Sequence, residues 1–188
     1  MALTGEEKRI LCDIVRHAIR ATIEGGSFKD LTIGEESFTD SLKERKGVFV
    51  TIYQEGQLRG CMGSTMGVMP LWQACRENAC SAALKDTRFT TLRKDELSEV
   101  TFEITVIGPT RALGDLSELR PGTSGLILRK GFRQQAFLPG AITHRIKDGH
   151  RMLDHLRSMS DIDPEDDSPE VWEAFEAVVF SEIDLQGE

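Results

Sequence analysis

Apolar residues recur at helical spacing from Leu11 through Ile14, Val15, Ala18 and Ile19 to Thr22, which predicts an amphipathic first helix. Thr4 and Glu7 fit a capping box at its start, worth about 1 kcal/mol at the cap, and Gly25-Gly26 stops it. Residues 27 to 46 are polar and mixed. They read as a loop with one short helix, ending in the solvated charge run Lys43-Glu44-Arg45-Lys46. The pattern then changes to strands. Gly47 to Tyr53 and Leu58 to Ser64 flank Gln54-Glu55-Gly56-Gln57, a turn of the kind that closes a β-hairpin. Pro70 suits the first position of a second helix. Leu71, Ala74, Cys75, Ala79, Ala82 and Ala83 give that helix a small-residue face fit for close packing on a sheet.

Val100 to Ile107 alternates cleanly, with Val100, Phe102, Ile104 and Val106 toward a core and Thr101, Glu103, Thr105 and Ile107 facing the other way. Gly108-Pro109 is expected to break that strand. Gly125 to Leu138 reads as a second hairpin turning at Gly131. Asp163-Pro164 and Ser168-Pro169-Glu170 read as helix starts, each a cap followed by proline. Phe175, Ala177, Val179 and Ile183 then alternate with Glu176, Val178, Phe180 and Glu182 as a closing strand. The sequence of elements argues for an α+β fold, a largely antiparallel sheet with flanking helices, in one domain over residues 1–188.

The chemistry concentrates at Cys61. Gly60 and Gly63 bracket it, and interior strand glycines mark a bulge or a close approach by a ligand or another backbone. With a period of two, Arg59, Cys61 and Gly63 share one face, and Arg59 lies about 7 Å from Cys61 along the strand. A free thiol titrates near ~8.5. A cation about 5 Å away, at an effective dielectric near 20, lowers that by about two units. One reading is a catalytic thiolate in a glycine-lined notch, with Arg59, Gly60, Gly63 and Ser64 around a ligand. The other is a buried thiol, with glycines that admit a helix and Arg59 turned to a carboxylate; free cysteine is among the most buried residue types. Glu103 is unusual in mid-strand. It is either a general base or the partner of an arginine such as Arg59. Arg88 either holds a small anionic ligand or bonds the carbonyls of the preceding helix end.

Leu58-Arg59-Gly60-Cys61-Met62-Gly63-Ser64 after a hydrophobic strand resembles the signature of the AMMECR domain family. Asp86-Thr87-Arg88-Phe89, Leu92, Glu96-Leu97, Phe102 to Ile107 and Phe137-Leu138-Pro139 follow in that family's order, covering roughly residues 6 to 140. The resemblance implies two lobes with a cleft between them, and places Arg59, Cys61 and Glu103 at or near it. It also implies Memo-like and radical-SAM partners, since microbial members accompany such proteins, and no established reaction. Enzyme or enzyme subunit, with Cys61 as nucleophile and Glu103 handling protons, and non-catalytic ligand-binding or adaptor module both stay open; the cofactor is unknown. The chain departs from the family at Gly140-Ala141, where Gln-Val is usual, and at His155 to Ser160, where a cysteine and an Ala-Gly-Leu end are usual.

Composition narrows the partners. Hydrophobic content of 39% and charged content of 29% over 188 residues suit a globular domain, and no apolar run approaches the ~18 residues that span a bilayer. Net charge of −8 argues against a general polyanion binder, so nucleic acid is unlikely. Cys12, Cys61, Cys75 and Cys80 lack framework spacing and are expected as reduced thiols in a cytoplasm. His144, His150 and His155 match no metal-ligand pattern.

Overall fold

The computed structural model describes residues 3–26, 34, 38–120, 122–139, 146, 148–159 and 166–185. The elements in chain order are α1 (Gly5–Glu24), α2 (Asp40–Lys43), β1 (Val48–Gln54), β2 (Gln57–Ser64), α3 (Leu71–Leu84), β3 (Val100–Ala112), β4 (Ser124–Lys130), β5 (Arg133–Phe137), α4 (Gly149–Met159) and β6 (Glu170–Ser181). The strands form one six-stranded sheet in the order β2-β1-β3-β6-β4-β5. The pairings of β1 with β2 and β3, and of β4 with β5 and β6, are antiparallel. The chain divides into two compact units, Met1–Val106 with Val178–Glu188, and Ile107–Ala177.

The first unit follows from its local signals. At the start of α1 the Thr4 hydroxyl accepts from the Glu7 amide at 3.2 Å, and the Glu7 carboxylate accepts from the Thr4 amide at 2.8 Å. These bonds satisfy two otherwise orphaned donors. Gly25, with φ +76°, ends the helix in the left-handed conformation. Between β1 and β2, Glu55 and Gly56 both have positive φ, the turn whose twist matches the hairpin. One face of this part of the sheet is apolar. Val48, Val50 and Ile52 of β1 join Val100, Phe102, Ile104 and Val106 of β3 in a core with Leu11, Ile14, Val15, Ala18 and Ile19 of α1 and Leu71, Cys75 and Ala79 of α3. Arg16 of α1 pairs with Glu182, donates to the Val100 carbonyl at 3.0 Å and lies over the Phe102 ring.

The second unit has its own core, of Leu116, Leu119, Leu126, Leu128, Phe137, Met152, Leu153, Leu156 and Ala174. Its hairpin turns at Gly131, as the residues predict.

Two expectations fail for stated reasons. The third strand does not stop at Gly108-Pro109 but runs to Ala112. Its pairing with β1 ends at Val48 opposite Val106, so Pro109 lies where β1 asks for no ladder donor. Pro169 introduces a strand, not a helix: Glu170 opens β6, and the alternation through Ser181 outweighs the cap-like start. Readings that fall on Asp163-Pro164, Gly140-Ala141 and His144 lie outside the described residues.

Candidate functional site

The sheet face opposite the first unit's core carries a row of polar side chains fixed by strand register. Thr51 of β1 stands opposite Cys61 of β2 on one side and Glu103 of β3 on the other. Cys61 and Glu103 are therefore two strand spacings apart, about 10 Å between Cα atoms, with Thr51 between them. The adjoining row is Gly63, Phe49 and Thr105, and Tyr53 stands opposite Thr101. Thr51 Oγ1 donates to Cys61 Sγ at 3.2 Å. Glu103 is half-buried, and its carboxylate has no hydrogen bond or ion pair among the described residues. Thr105 is 1% exposed, and its Oγ1 has no hydrogen-bond partner among the described residues.

β2 is an edge strand, so the Cys61 amide points out of the sheet. Asp86, just past α3, accepts it at 2.8 Å through Oδ2. Arg88 grips the same carboxylate with Nε and Nη2, at 2.9 and 2.7 Å. Asp86 is buried while Arg88 is largely exposed, so one carboxylate ties an edge amide to a surface guanidinium.

Charge at the row runs against a resting thiolate. Burial pushes the Cys61 thiol above its usual range, and this outweighs the lowering by the Thr51 hydroxyl and the Arg88 charge. Burial, then the nearby Asp184 carboxylate, raises Glu103. Burial, then Glu103, then Cys61, pushes Tyr53 up to about 12. The bonds from Arg88 hold Asp86 below the ordinary carboxylate range.

The glycine-lined notch is filled by the protein itself. A Cβ on Gly60 would collide with the Ala82 carbonyl of α3, and one on Gly63 with the Phe49 ring and the Val48 carbonyl. Both glycines admit neighbouring protein atoms rather than a ligand. Ser64 Oγ accepts from the Met66 amide at 3.0 Å and shapes the following turn.

Arg59 does not lie over the thiol. The β1–β2 register shifts between Ile52 and Tyr53, where Gly60 and Leu58 are the respective partners, so Arg59 is the extra residue of a bulge and is aimed sideways. Its Nε and Nη2 bind Glu96 at 2.9 and 3.0 Å, and its guanidinium donates to the Thr90 and Thr91 carbonyls. Arg59 thus latches the 90–96 loop to the sheet edge. It is the partner of Glu96, not of Glu103.

Of the residues predicted from sequence, the structure brings Cys61 and Glu103 into one row and Arg88 close to Cys61 through Asp86. It gives Arg59, Gly60, Gly63 and Ser64 contacts within the protein, and Arg88, read as holding an anion or capping the helix end, is bound to Asp86. Sequence reasoning missed Thr51, Asp86 and Thr105. Thr51 was out of reach of the turn count, because a two-residue turn after Gln54 puts Val50 opposite Cys61 and only the bulge at Arg59 moves the partner to Thr51.

No described helix is long and apolar enough to cross a membrane, and no group of three potential metal ligands occurs among the described residues.

A family model described as AMMECR1 matches residues 12–180. A protein of Methanothermobacter thermautotrophicus is 33% identical over 189 residues, covering 96% of each chain. Protein NEQ441 of Nanoarchaeum equitans is 37% identical over 136 residues, covering 69% of this chain and 73% of its own. The solved structure of the uncharacterised protein PH0010 from Pyrococcus horikoshii matches with a TM-score of 0.77 at 24% identity, covering 92% of this chain and 89% of that one. That likeness extends to the fold.

Proposed function

The chain belongs to the AMMECR1 family, and from that premise we propose that it is an enzyme or enzyme subunit whose chemistry is carried by the Cys61–Thr51–Glu103 row, working with Memo-like and radical-SAM proteins. The partners rest on the resemblance in the Cys61 segment. The chemistry rests on one observation: a thiol, a hydroxyl and an unpaired carboxylate stand side by side on three neighbouring strands.

Cys61 is the nucleophile in this reading. Burial keeps its proton on at rest, so attack on an electrophilic carbon requires that proton to leave as the carbon–sulfur bond forms. Glu103 is the acceptor, its carboxyl raised by burial and by Asp184, which makes it a stronger base than an exposed glutamate. The Thr51 hydroxyl donates to the sulfur and steadies the charge that develops on it. Asp86 fixes the backbone of Cys61 and so the position of the sulfur.

A specific observation favours a second reading, a non-catalytic ligand-binding or adaptor module: the resting thiol is not activated. Iodoacetamide labelling of folded protein across pH, read by mass spectrometry at each cysteine, separates the two. The enzyme reading expects Cys61 to label below pH 8, and to label more slowly there in Glu103→Gln. Silence at Cys61 below pH 8, with partner co-purification surviving Cys61→Ser, overturns it in favour of the adaptor.

A further inference from the structure

We propose that the Cys61 face takes a ligand bearing a primary ammonium group, seated on the Glu103 carboxylate with the Thr105 hydroxyl as second acceptor, and that it rejects anions. This rests on reading that face as the ligand site.

The inference starts from what each charged group near the row already holds. Arg59 is bound by Glu96 and by two carbonyls, and Arg88 grips Asp86 with two bonds. The Asp86–Arg88 pair is neutral as a unit. Glu103 has no partner among the described residues, and the nearby Asp184 adds a second negative charge. An anion entering here meets the Glu103 carboxylate, and both arginines beside the row are already held by carboxylates. A cation supplies what Glu103 lacks.

Thr105 sharpens the identity of that cation. A buried hydroxyl without a partner is uncommon in a folded protein, because leaving it unbonded is unfavourable. Thr105 follows Glu103 by two residues on the same strand, so both side chains leave the same face with their Cα atoms about 7 Å apart. Two hydrogen bonds of about 2.9 Å meeting at one nitrogen bridge a gap of that size. An ammonium has three N–H groups and can serve Glu103 and Thr105 together. A quaternary ammonium has none.

Thiol-directed probes of matched size and different charge test this at the site itself. Wild-type protein at pH 8.5 is reacted separately with 2-aminoethyl, methyl and 2-sulfonatoethyl methanethiosulfonate. In each case the Cys61 thiolate attacks the divalent sulfur, a disulfide forms and methanesulfinate leaves with the bonding pair. Rates at Cys61 are read by mass spectrometry and normalised to those of 2-mercaptoethanol. The expected normalised preference for the ammonium over the sulfonate reagent is about tenfold. It falls severalfold in Glu103→Gln and is unchanged in Glu118→Gln, which removes an exposed charge of the second unit. The aminoethyl adduct, whose ammonium reaches toward Glu103, raises the melting temperature, and Thr105→Val reduces that gain. A ratio near one, or a ratio insensitive to Glu103→Gln, overturns the ammonium inference alone. Failure of all three reagents to modify Cys61 shows a closed face, and overturns the ligand-site reading along with it.

Discussion

The two compact units differ in their most covered ion pair. In the second, the ion pairs Arg129–Glu173, Arg157–Glu170 and Arg111–Glu118 all keep substantial exposure, down to 37% and 21% for the side chains of the most covered pair. In the first, Arg59 and Glu96 are 13% and 10% exposed, and on the neighbouring sheet face the side chains of Glu103 and Thr105 have no partner among the described residues. Solvent can replace a lost partner in the second unit. It cannot do so at the Arg59–Glu96 latch. A buried polar group without a partner is uncommon, and this face is where the proposed ligand would supply one.

Substitutions can break this contrast or sharpen it. The largest effect is expected from Arg59→Ala, which strands Glu96 and frees the loop carbonyls, at about 3 kcal/mol in a urea unfolding titration. A loss below about 1 kcal/mol there would erase the difference between the units. Asp86→Ala comes next, at about 2 kcal/mol, since it removes a charge-assisted bond to the Cys61 amide and the anchor of Arg88. Its stabilising share carries a pH signature: Asp86 is held low in the folded protein, so the contribution is present above the ordinary carboxylate range and lost as pH falls through the folded value.

Glu103→Gln should act in the opposite direction, with a gain of about 1 kcal/mol or less. The Glu103 carboxyl is raised on folding, so the folded state holds its proton more tightly. Stability is then full below about pH 4.3 and declines as pH rises through the folded value. Glutamine does not titrate. The gain should therefore appear at pH 8 and vanish at pH 4, and a gain at both would disconnect it from ionisation. Arg129→Ala in the second unit is expected to be smallest, at about 0.5 kcal/mol, because its pair with Glu173 is part-exposed.

Local chemistry was legible in the sequence and lateral chemistry was not. The Thr4–Glu7 cap, the Gly25 stop and both hairpin turns depend on residues a few positions apart, and all are where the residues put them. Cys61 stood out because its flanking glycines are odd in a strand. The glycines left two readings open because a close approach by α3 or by Phe49 leaves the same mark on a sequence as a close approach by a ligand. Arg59 was placed on the Cys61 face because a bulge breaks the count of two, and Gly60 allows for a bulge without distinguishing it from a close approach. Its partner Glu96 lies 37 residues away. Glu103 was visible as a charge in mid-strand, but its lack of a partner depends on every neighbouring strand at once.

The position of β6 inside the sheet has a consequence for biosynthesis. It separates β3 from β4, yet it is translated after both and after α4. Until Glu170 to Ser181 has emerged from the ribosome, β3 and β4 each present an open edge to any other strand nearby. Nascent chains of this protein are therefore most exposed to mispairing late in translation, and a product released before that segment should need chaperone protection or fall to proteolysis.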